Sequence, residues 1–282
     1  MEKKLLTRPI PVSGETLPAI GIGTWPAFDV GPGKAERGPL EEVLRDFTGL
    51  GGSLVDSSPM YGRAEETLGD LAAFDRNDPG PRLRPKLFMA TKVWTEGRSQ
   101  GILQMEDSLR KLRADSIDLM QVHNLVDVGT HLGTLGDWKL QGRIRYLGVT
   151  HYKSSAHGDV AKVLAAHPVD FLQINYSVGE REAERTLLPL AREKGVAVIV
   201  NRPFGGGGII RKLQGRALPD WASEIECTTW SQLLLKFVIS HPAVTCAIPA
   251  TSKLANLRDN MAAGLGRLPD EELRQRIARA AA

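Results

Sequence analysis

Short apolar runs rich in β-branched residues alternate along this chain with longer stretches in which apolar positions recur every three or four residues. The short runs predict strands at Leu17–Trp25, Ser53–Ser57, Leu87–Val93, Ile117–His123, Ile144–Thr150, Phe171–Tyr176, Val196–Asn201 and Thr245–Ile248. The longer ones predict helices at Leu40–Leu50, Glu65–Phe74, Ile102–Leu112, Leu132–Leu140, Ser155–Ala166, Ala183–Lys194, Trp230–Ser240 and Leu254–Ala262. In the first helix, Leu40, Val43, Leu44 and Phe47 fall at the i, i+3, i+4, i+7 spacing that makes one apolar stripe. Lys194-Gly195 supplies a cation and a C-terminal glycine, and Thr251 or Ser252 can cap the helix that follows. A last segment, Pro269–Ala282, reads as an extra helix on the surface.

Eight strands each followed by a helix imply parallel pairing with right-handed crossovers. At 282 residues this repeat suits an α/β fold of the closed (β/α)8 (TIM) barrel type, as a single domain over 1–282. Ser13-Gly14-Glu15 marks a turn, so the first ~15 residues are expected to form a hairpin over the barrel floor. Hydrophobic residues at 42% and charged residues at 24% exclude disorder, coiled coil and collagen. The excess of 36 basic over 33 acidic residues is too small and too spread to suggest a nucleic-acid surface. Cys227 and Cys246 form no disulfide framework and match no zinc spacing, which fits a reducing compartment such as the cytoplasm. No apolar run approaches the ~18 residues of a membrane span, and the N-terminus lacks the apolar stretch of a signal peptide. A soluble monomer without metal, acting on a small molecule, is the expectation.

In such a barrel the chemistry sits at the C-terminal ends of the strands. Strand 2 runs into Asp56-Ser57-Ser58-Pro59-Met60-Tyr61-Gly62, strand 3 is Ala90-Thr91-Lys92-Val93-Trp94, and strand 4 ends Gln121-Val122-His123. Asp56, Tyr61, Lys92 and His123 thus converge on one rim. Each alone has an ordinary reading as a loop cap, a packing ring or a core histidine. Lys92, inside an apolar strand, needs a partner, and Asp56 on the adjacent strand is the natural one. A free Tyr, with a pKa of ~10, is a weak acid near neutrality. An ammonium about 4 Å away favours the phenolate by at most ~4 kcal/mol, so Lys92 is expected to bring Tyr61 toward the working range. Neutral His123 would orient a carbonyl oxygen. The set donates a proton to a developing alkoxide and therefore calls for a hydride from a cofactor.

No dinucleotide fingerprint opens a βαβ unit, since Gly21-Ile22-Gly23-Thr24-Trp25 lacks the third glycine and the helix start. Strand 7 instead runs into Asn201-Arg202-Pro203-Phe204 and four glycines, 205–208, whose backbone could approach a pyrophosphate. The competing reading is a flexible hinge. Strand 8 is followed by Thr251-Ser252-Lys253 at a helix start, an arrangement that suits an anion.

Gly-Ile-Gly-Thr-Trp at 21–25, Asp56 with Tyr61-Gly62, Ala-Thr-Lys-Val at 90–93 and Gln-Val-His at 121–123 together resemble the aldo-keto reductase family. Leu-Gly-Val-Thr at 147–150, Leu-Gln-Ile-Asn-Tyr-Ser at 172–177 and Ile-Pro-Ala-Thr-Ser at 248–252 extend the likeness, in the family's order, over nearly the whole chain. The resemblance implies NAD(P)H-dependent reduction of aldehydes or ketones without metal, NADP(H) being preferred and NAD(H) possible. It gives Tyr61 as general acid, Lys92 and Asp56 as its tuning pair and His123 as the substrate-orienting residue. Thr24 and Asp56 would border the nicotinamide ribose, and Thr150, His151 and Gln173 the carboxamide. Asn201, Pro203, Phe204, Gly205, Gly207, Thr251, Ser252, Lys253 and Asn260 complete the expected cofactor contacts.

Two departures stand out. Asn201 occupies a position that is an aromatic in many members, and Ala250 and Asn256 replace the Lys and Arg of many NADPH-specific members. Trp25, Met60 and Trp94 are the expected apolar walls for substrate, with barrel packing as the alternative. Moderate or short connections after strands 1, 4 and 7 predict an open mouth. Potassium-channel β subunits, which share the family resemblance, supply a second reading as a cofactor-binding regulatory or redox-sensing barrel. A barrel hydrolase or isomerase finds no supporting metal motif.

Overall fold

A computed structural model describes residues 4–73 and 83–282. These fall into two compact units, one made of residues up to 21, 151–249 and 258–282, the other of residues 22–150 and 250–257.

The chain begins with an antiparallel hairpin, β1 (Thr7–Pro9) and β2 (Thr16–Pro18), in which Arg8 faces Leu17. Gly14, at φ +74, donates to the Ile10 carbonyl, and Ile10 N–H reaches Glu15 O at 2.7 Å, so the turn lies where Ser13-Gly14-Glu15 predicted it. The predicted strand Leu17–Trp25 is thereby corrected. Its first residues complete the hairpin, and only β3 (Ile22–Gly23) joins the main sheet. Pro18 explains the division, because a residue without N–H is tolerated in an edge ribbon rather than inside a sheet.

In the unit built on 22–150, β3 is followed by α1 (Lys34–Gly49), β4 (Leu54–Asp56), α2 (Ala64–Ala72), β5 (Phe88–Val93), α3 (Arg98–Lys111), β6 (Ile117–His123), α4 (Val128–Leu140) and β7 (Ile144–His151). The strands pair in parallel, with Gly23 opposite Asp56, Asp56 opposite Ala90, Lys92 opposite Gln121 and His123 opposite Thr150. This register puts the carboxylate, the ammonium and the imidazole on successive strand ends. Gly23 also bridges in parallel to Ala250. Helices α1, α3 and α4 start a turn or more before the apolar periodicity does, because their first turns carry few apolar side chains. Phe74, the predicted end of α2, lies outside the described residues.

The other unit continues with α5 (His157–Ala166), β8 (Phe171–Asn175), α6 (Leu187–Glu193), β9 (Ala197–Asn201), α7 (Gly208–Leu213), α8 (Trp230–Ile239) and β10 (Cys246–Ala247). Then follow α9 (Leu254–Ala262) and α10 (Glu271–Ala281). Strands β8, β9 and β10 are parallel, and Ile20 bridges to Ala247. The predicted helix Ala183–Lys194 is split into a 3-10 turn, Glu182–Arg185, and α6. Pro189 is the cause, since its ring excludes a helical carbonyl four residues back, at Arg185. Gly195, at φ +66, ends α6 as expected. Helix α10 is not merely a surface helix: Leu273, Arg274, Ile277 and Ala281 are buried, and Asp270 caps it, accepting from Leu273 N–H at 3.0 Å.

The connection after β9 is long rather than short. It holds α7 and a 3-10 turn at Asp220–Ile225, both too brief to show a period in the sequence. Within each unit the main strands run parallel in chain order with helices between them, the (β/α)8 barrel arrangement.

Candidate active site

Strand β4 delivers Asp56 to the rim, where its backbone carbonyl accepts from Thr24 N–H at 3.0 Å. The chain then turns: Tyr61 N–H donates to Ser58 O at 3.0 Å, and Ala64 N–H to Tyr61 O at 3.0 Å. Gly62 sits at φ +57 against the Asp29 carboxylate, which leaves no room for a Cβ, and Asp29 also accepts from Arg63 N–H at 2.9 Å. The loop that presents Tyr61 is therefore pinned on both sides.

Lys92 is fully buried, and its Nζ donates to Asp56 Oδ2 at 2.6 Å and to Ser57 O at 2.6 Å. Gln121 Nε2 donates to Asp56 Oδ1 at 3.2 Å, so both carboxylate oxygens are engaged. The ammonium lies 5.1 Å from the centroid of the Tyr61 ring. His123 meets that ring edge-on, with centroids 6.0 Å apart and planes at 87°. Its Nδ1 is 3.1 Å from Ser58 Oγ. All four predicted catalytic residues are thus brought together, in the unit built on 22–150.

Burial drives the Lys92 ammonium toward losing its proton, but Asp56 and Tyr61 together outweigh that and its pKa is raised. The expected acidification of Tyr61 does not appear. Burial raises its pKa, Asp56 adds to the rise, and the lowering by Lys92 is smaller than their sum. The hydroxyl is held protonated, which is the state a proton donor needs. An alkoxide, about as basic as hydroxide (water pKa ~15.7), still takes a proton from it downhill.

The expected cofactor residues form separate groups. Thr24 is buried and donates through Oγ1 to Ser57 Oγ at 3.1 Å, beside Asp56; Thr150 is buried opposite His123. Thr251 Oγ1 accepts from Lys253 N–H at 3.1 Å, while the side chains of Ser252 and Lys253 are exposed. In the other unit, Asn201 Nδ2 reaches His151 O at 3.4 Å and Gln173 Oε1 at 3.5 Å. His151 Nδ1 accepts from Lys153 N–H at 3.2 Å, and burial lowers its pKa, so the neutral ring carries its proton on Nε2. Pro203 is buried and Phe204 packs against the cluster of Leu213, Leu234 and Ala281. Asn260 is buried. Gly205, Gly206 and Gly207 all have positive φ, and the N–H groups of Gly205, Gly207 and Gly208 donate to carbonyls of their own loop.

One observation bears on whether a carboxamide-bearing cofactor fits. Asn201 Oδ1 is buried without a partner, at a cost of ~1–3 kcal/mol, and an amide N–H would satisfy it. Among the described residues no cluster of three or more His, Cys, Asp or Glu is placed to hold a metal, and no helix is long and apolar enough to cross a membrane.

Trp25, Met60 and Trp94 are 52%, 38% and 42% exposed, so they are not part of the barrel packing. Trp25 tilts against Tyr61 with ring centroids 5.5 Å apart. Three members of the network escaped sequence reasoning: Ser57, Ser58 and Gln121. Gln121 carried a signal, because it lies two residues from His123 and so shares its face of β6. The two serines carried one only in following Asp56 directly.

A (β/α)8 scaffold with Asp, Tyr, Lys and His at adjoining strand ends defines a class of oxidoreductase barrels, and comparison with known proteins makes the class specific. The family model of the aldo/keto reductase family matches residues 19–278. A methylglyoxal reductase of Escherichia coli (strain K12), YeaE, is 30% identical over 261 residues, 90% of this chain and 88% of that protein. Among solved structures, an aldo/keto reductase from Klebsiella pneumoniae in complex with NADP and acetate is 25% identical, with a TM-score of 0.78 over 95% of this chain and 93% of that one. The holo form of an aldo-keto reductase from Bacillus halodurans has the same fold at 22% identity, TM-score 0.78, over 99% and 97% of the two chains. The chain belongs to the aldo/keto reductase family and is an oxidoreductase of that type.

Proposed function

We propose that this protein reduces aldehydes or ketones to alcohols with NADP(H), Tyr61 being the general acid. The observation that carries the reading is the buried Asp56–Lys92 pair, 2.6 Å apart, set against a partly exposed tyrosine on a pinned turn. Bound NADPH supplies the hydride. Tyr61 gives its proton to the carbonyl oxygen as negative charge develops there, and Lys92 stabilises the phenolate left behind. Asp56 keeps Lys92 charged and aimed. Solvent restores the proton, since Tyr61 is partly exposed. His123 orients the carbonyl, and the exposed Trp25, Met60 and Trp94 favour small, apolar or loosely held substrates. The Escherichia coli relative makes 2-oxoaldehydes the first substrates to try.

NADP(H) is favoured over NAD(H) by the exposed Lys253 beside Thr251 and Ser252, and by the NADP bound in the Klebsiella pneumoniae relative. Gln173, His151 and Asn201 are the residues to hold the carboxamide. Fluorescence titration with NADPH and NADH, followed by turnover on a panel including methylglyoxal, tests the proposal. Tight NADPH binding with turnover that Tyr61→Phe abolishes is expected; no binding of either cofactor would overturn it.

A further inference from the structure

Ser58 is fully buried, and its hydroxyl has two neighbours: Met60 N–H at 3.3 Å and His123 Nδ1 at 3.1 Å. A serine hydroxyl has one proton to donate and two lone pairs to accept with. The Met60 amide is always a donor, so it takes one lone pair. If His123 Nδ1 were protonated it would take the other, and the Ser58 proton, buried away from water, would have no acceptor. Leaving such a group unsatisfied costs ~1–3 kcal/mol. The arrangement is satisfied when Ser58 donates to an unprotonated Nδ1.

We infer that Ser58 is a positioning residue that fixes His123 as the neutral tautomer with its proton on Nε2, the form able to donate to a substrate carbonyl oxygen. This rests on the substrate-orienting role proposed for His123. The same donor count opposes the imidazolium, which carries N–H on both nitrogens and would strand the Ser58 proton. That matters here because the groups around the ring are charged or acidic: Tyr61 from the turn after β4, whose ring it meets edge-on, with Lys92 on β5 and Asp56 on β4 behind that tyrosine. Without Ser58, this bias toward an unprotonated Nδ1 is lost, and a ring protonated on Nδ1 alone presents a lone pair at Nε2, which repels a carbonyl oxygen.

The test is the 15N spectrum of the histidine rings in the full-length protein, with the His123 signals assigned by their loss in His123→Gln. Wild type should show one neutral tautomer, protonated at Nε2. Ser58→Ala should show a mixture of tautomers, and uptake of the second proton at higher pH than in wild type. Turnover should follow: kcat/KM for an aldehyde falls about tenfold, the equivalent of one hydrogen bond of ~1.4 kcal/mol, while the Kd for NADPH is unchanged. Ser58→Thr keeps the hydroxyl and should restore the single tautomer, which a role in packing alone would not produce. A wild-type ring protonated at Nδ1, or a Ser58→Ala spectrum identical to wild type, overturns the inference. Normal kcat/KM in His123→Gln together with a wild-type ring protonated at Nε2 would overturn only the proposed role of His123 and leave the tautomer assignment standing.

Discussion

Two sets of tyrosine, cation and carboxylate among the described residues invite comparison. In one, Lys92 joins Asp56 under Tyr61. In the other, Arg274 on α10 donates to Glu184 at 2.8 Å and to the Tyr176 hydroxyl at 2.7 Å. The second is saturated. The Tyr176 hydroxyl donates to Glu184 Oε1 at 2.5 Å, Arg181 holds the other carboxylate oxygen at 2.7 Å, and Arg274 also reaches Ser240 Oγ at 2.9 Å. Burial pushes the Tyr176 hydroxyl far above its ordinary value, and the ring is fully enclosed. Tyr61 differs in two respects: it is partly exposed, and the side chain hydrogen-bonded to it is the Lys92 ammonium, which can only donate. The same three kinds of group fasten the C-terminal helix in one place and, in the function proposed here, supply a proton in the other. What separates them is whether the hydroxyl proton is already committed.

Breaking the ion pairs probes this difference most severely. Lys92→Met leaves the buried Asp56 carboxylate uncompensated and should cost ~3–5 kcal/mol in urea unfolding, whereas Arg274→Met leaves Glu184 still paired with Arg181 and should cost less. Only Lys92→Met should also abolish turnover, apart from what lower stability removes. Asp56→Asn combined with Lys92→Met should recover stability without activity; return of activity would end the electrostatic role of that pair.

Removing the hydroxyls separates the sets more cleanly. Tyr61→Phe should lower kcat at least ~100-fold, or ~2.7 kcal/mol, with cofactor affinity nearly unchanged. Tyr176→Phe should leave kcat within about twofold and cost ~1–2 kcal/mol of stability. Single-turnover hydride transfer at the wild-type rate in Tyr61→Phe would show that the partly exposed hydroxyl is not the donor.

Lys253→Ala should weaken NADPH binding roughly 10- to 150-fold, the worth of one charge-assisted contact of ~1.5–3 kcal/mol. NADH binding should barely change, and higher salt should shrink the difference. Equal losses for both cofactors would give Lys253 a role in its loop instead.

The smallest effect is in the pH profile. A donor must be protonated, and the Tyr61 pKa lies above its ordinary 10.0. Reduction should therefore keep its kcat through neutrality and lose it only on an alkaline limb above pH ~10, where the phenolate forms. An alkaline limb below pH 8 would show that Lys92 acidifies Tyr61 more than burial opposes it.

Much of the site was legible before any coordinates. Period-two and period-3.6 patterns are local, so they placed β6 at Ile117–His123 and α9 at Leu254–Ala262, and strand ends then marked Asp56, Lys92 and His123 as neighbours. Lys92 was conspicuous because an ammonium in an apolar run must be paired. Short elements such as α7 were silent, being shorter than two helical turns, and the division of Leu17–Trp25 depended on the hairpin partner that its first half found.

The sequence by itself determined the alternation of strands and helices, and with it the order in which chemical groups reach the rim. Tertiary structure alone decided how those groups are charged and bonded. Burial, a sum over everything packed around a side chain, turned the expected acidification of Tyr61 into a rise. The turn at 58–61 placed Ser58 within 3.1 Å of His123 Nδ1, 65 residues further along the chain. Residues distant in sequence also completed the Arg274–Glu184–Tyr176 set, which no local pattern could announce because its members meet only when α10 docks. Hydrogen-bond satisfaction and desolvation depend on three-dimensional neighbours, and those neighbours distinguish the partly exposed Tyr61 from the enclosed and fully bonded Tyr176.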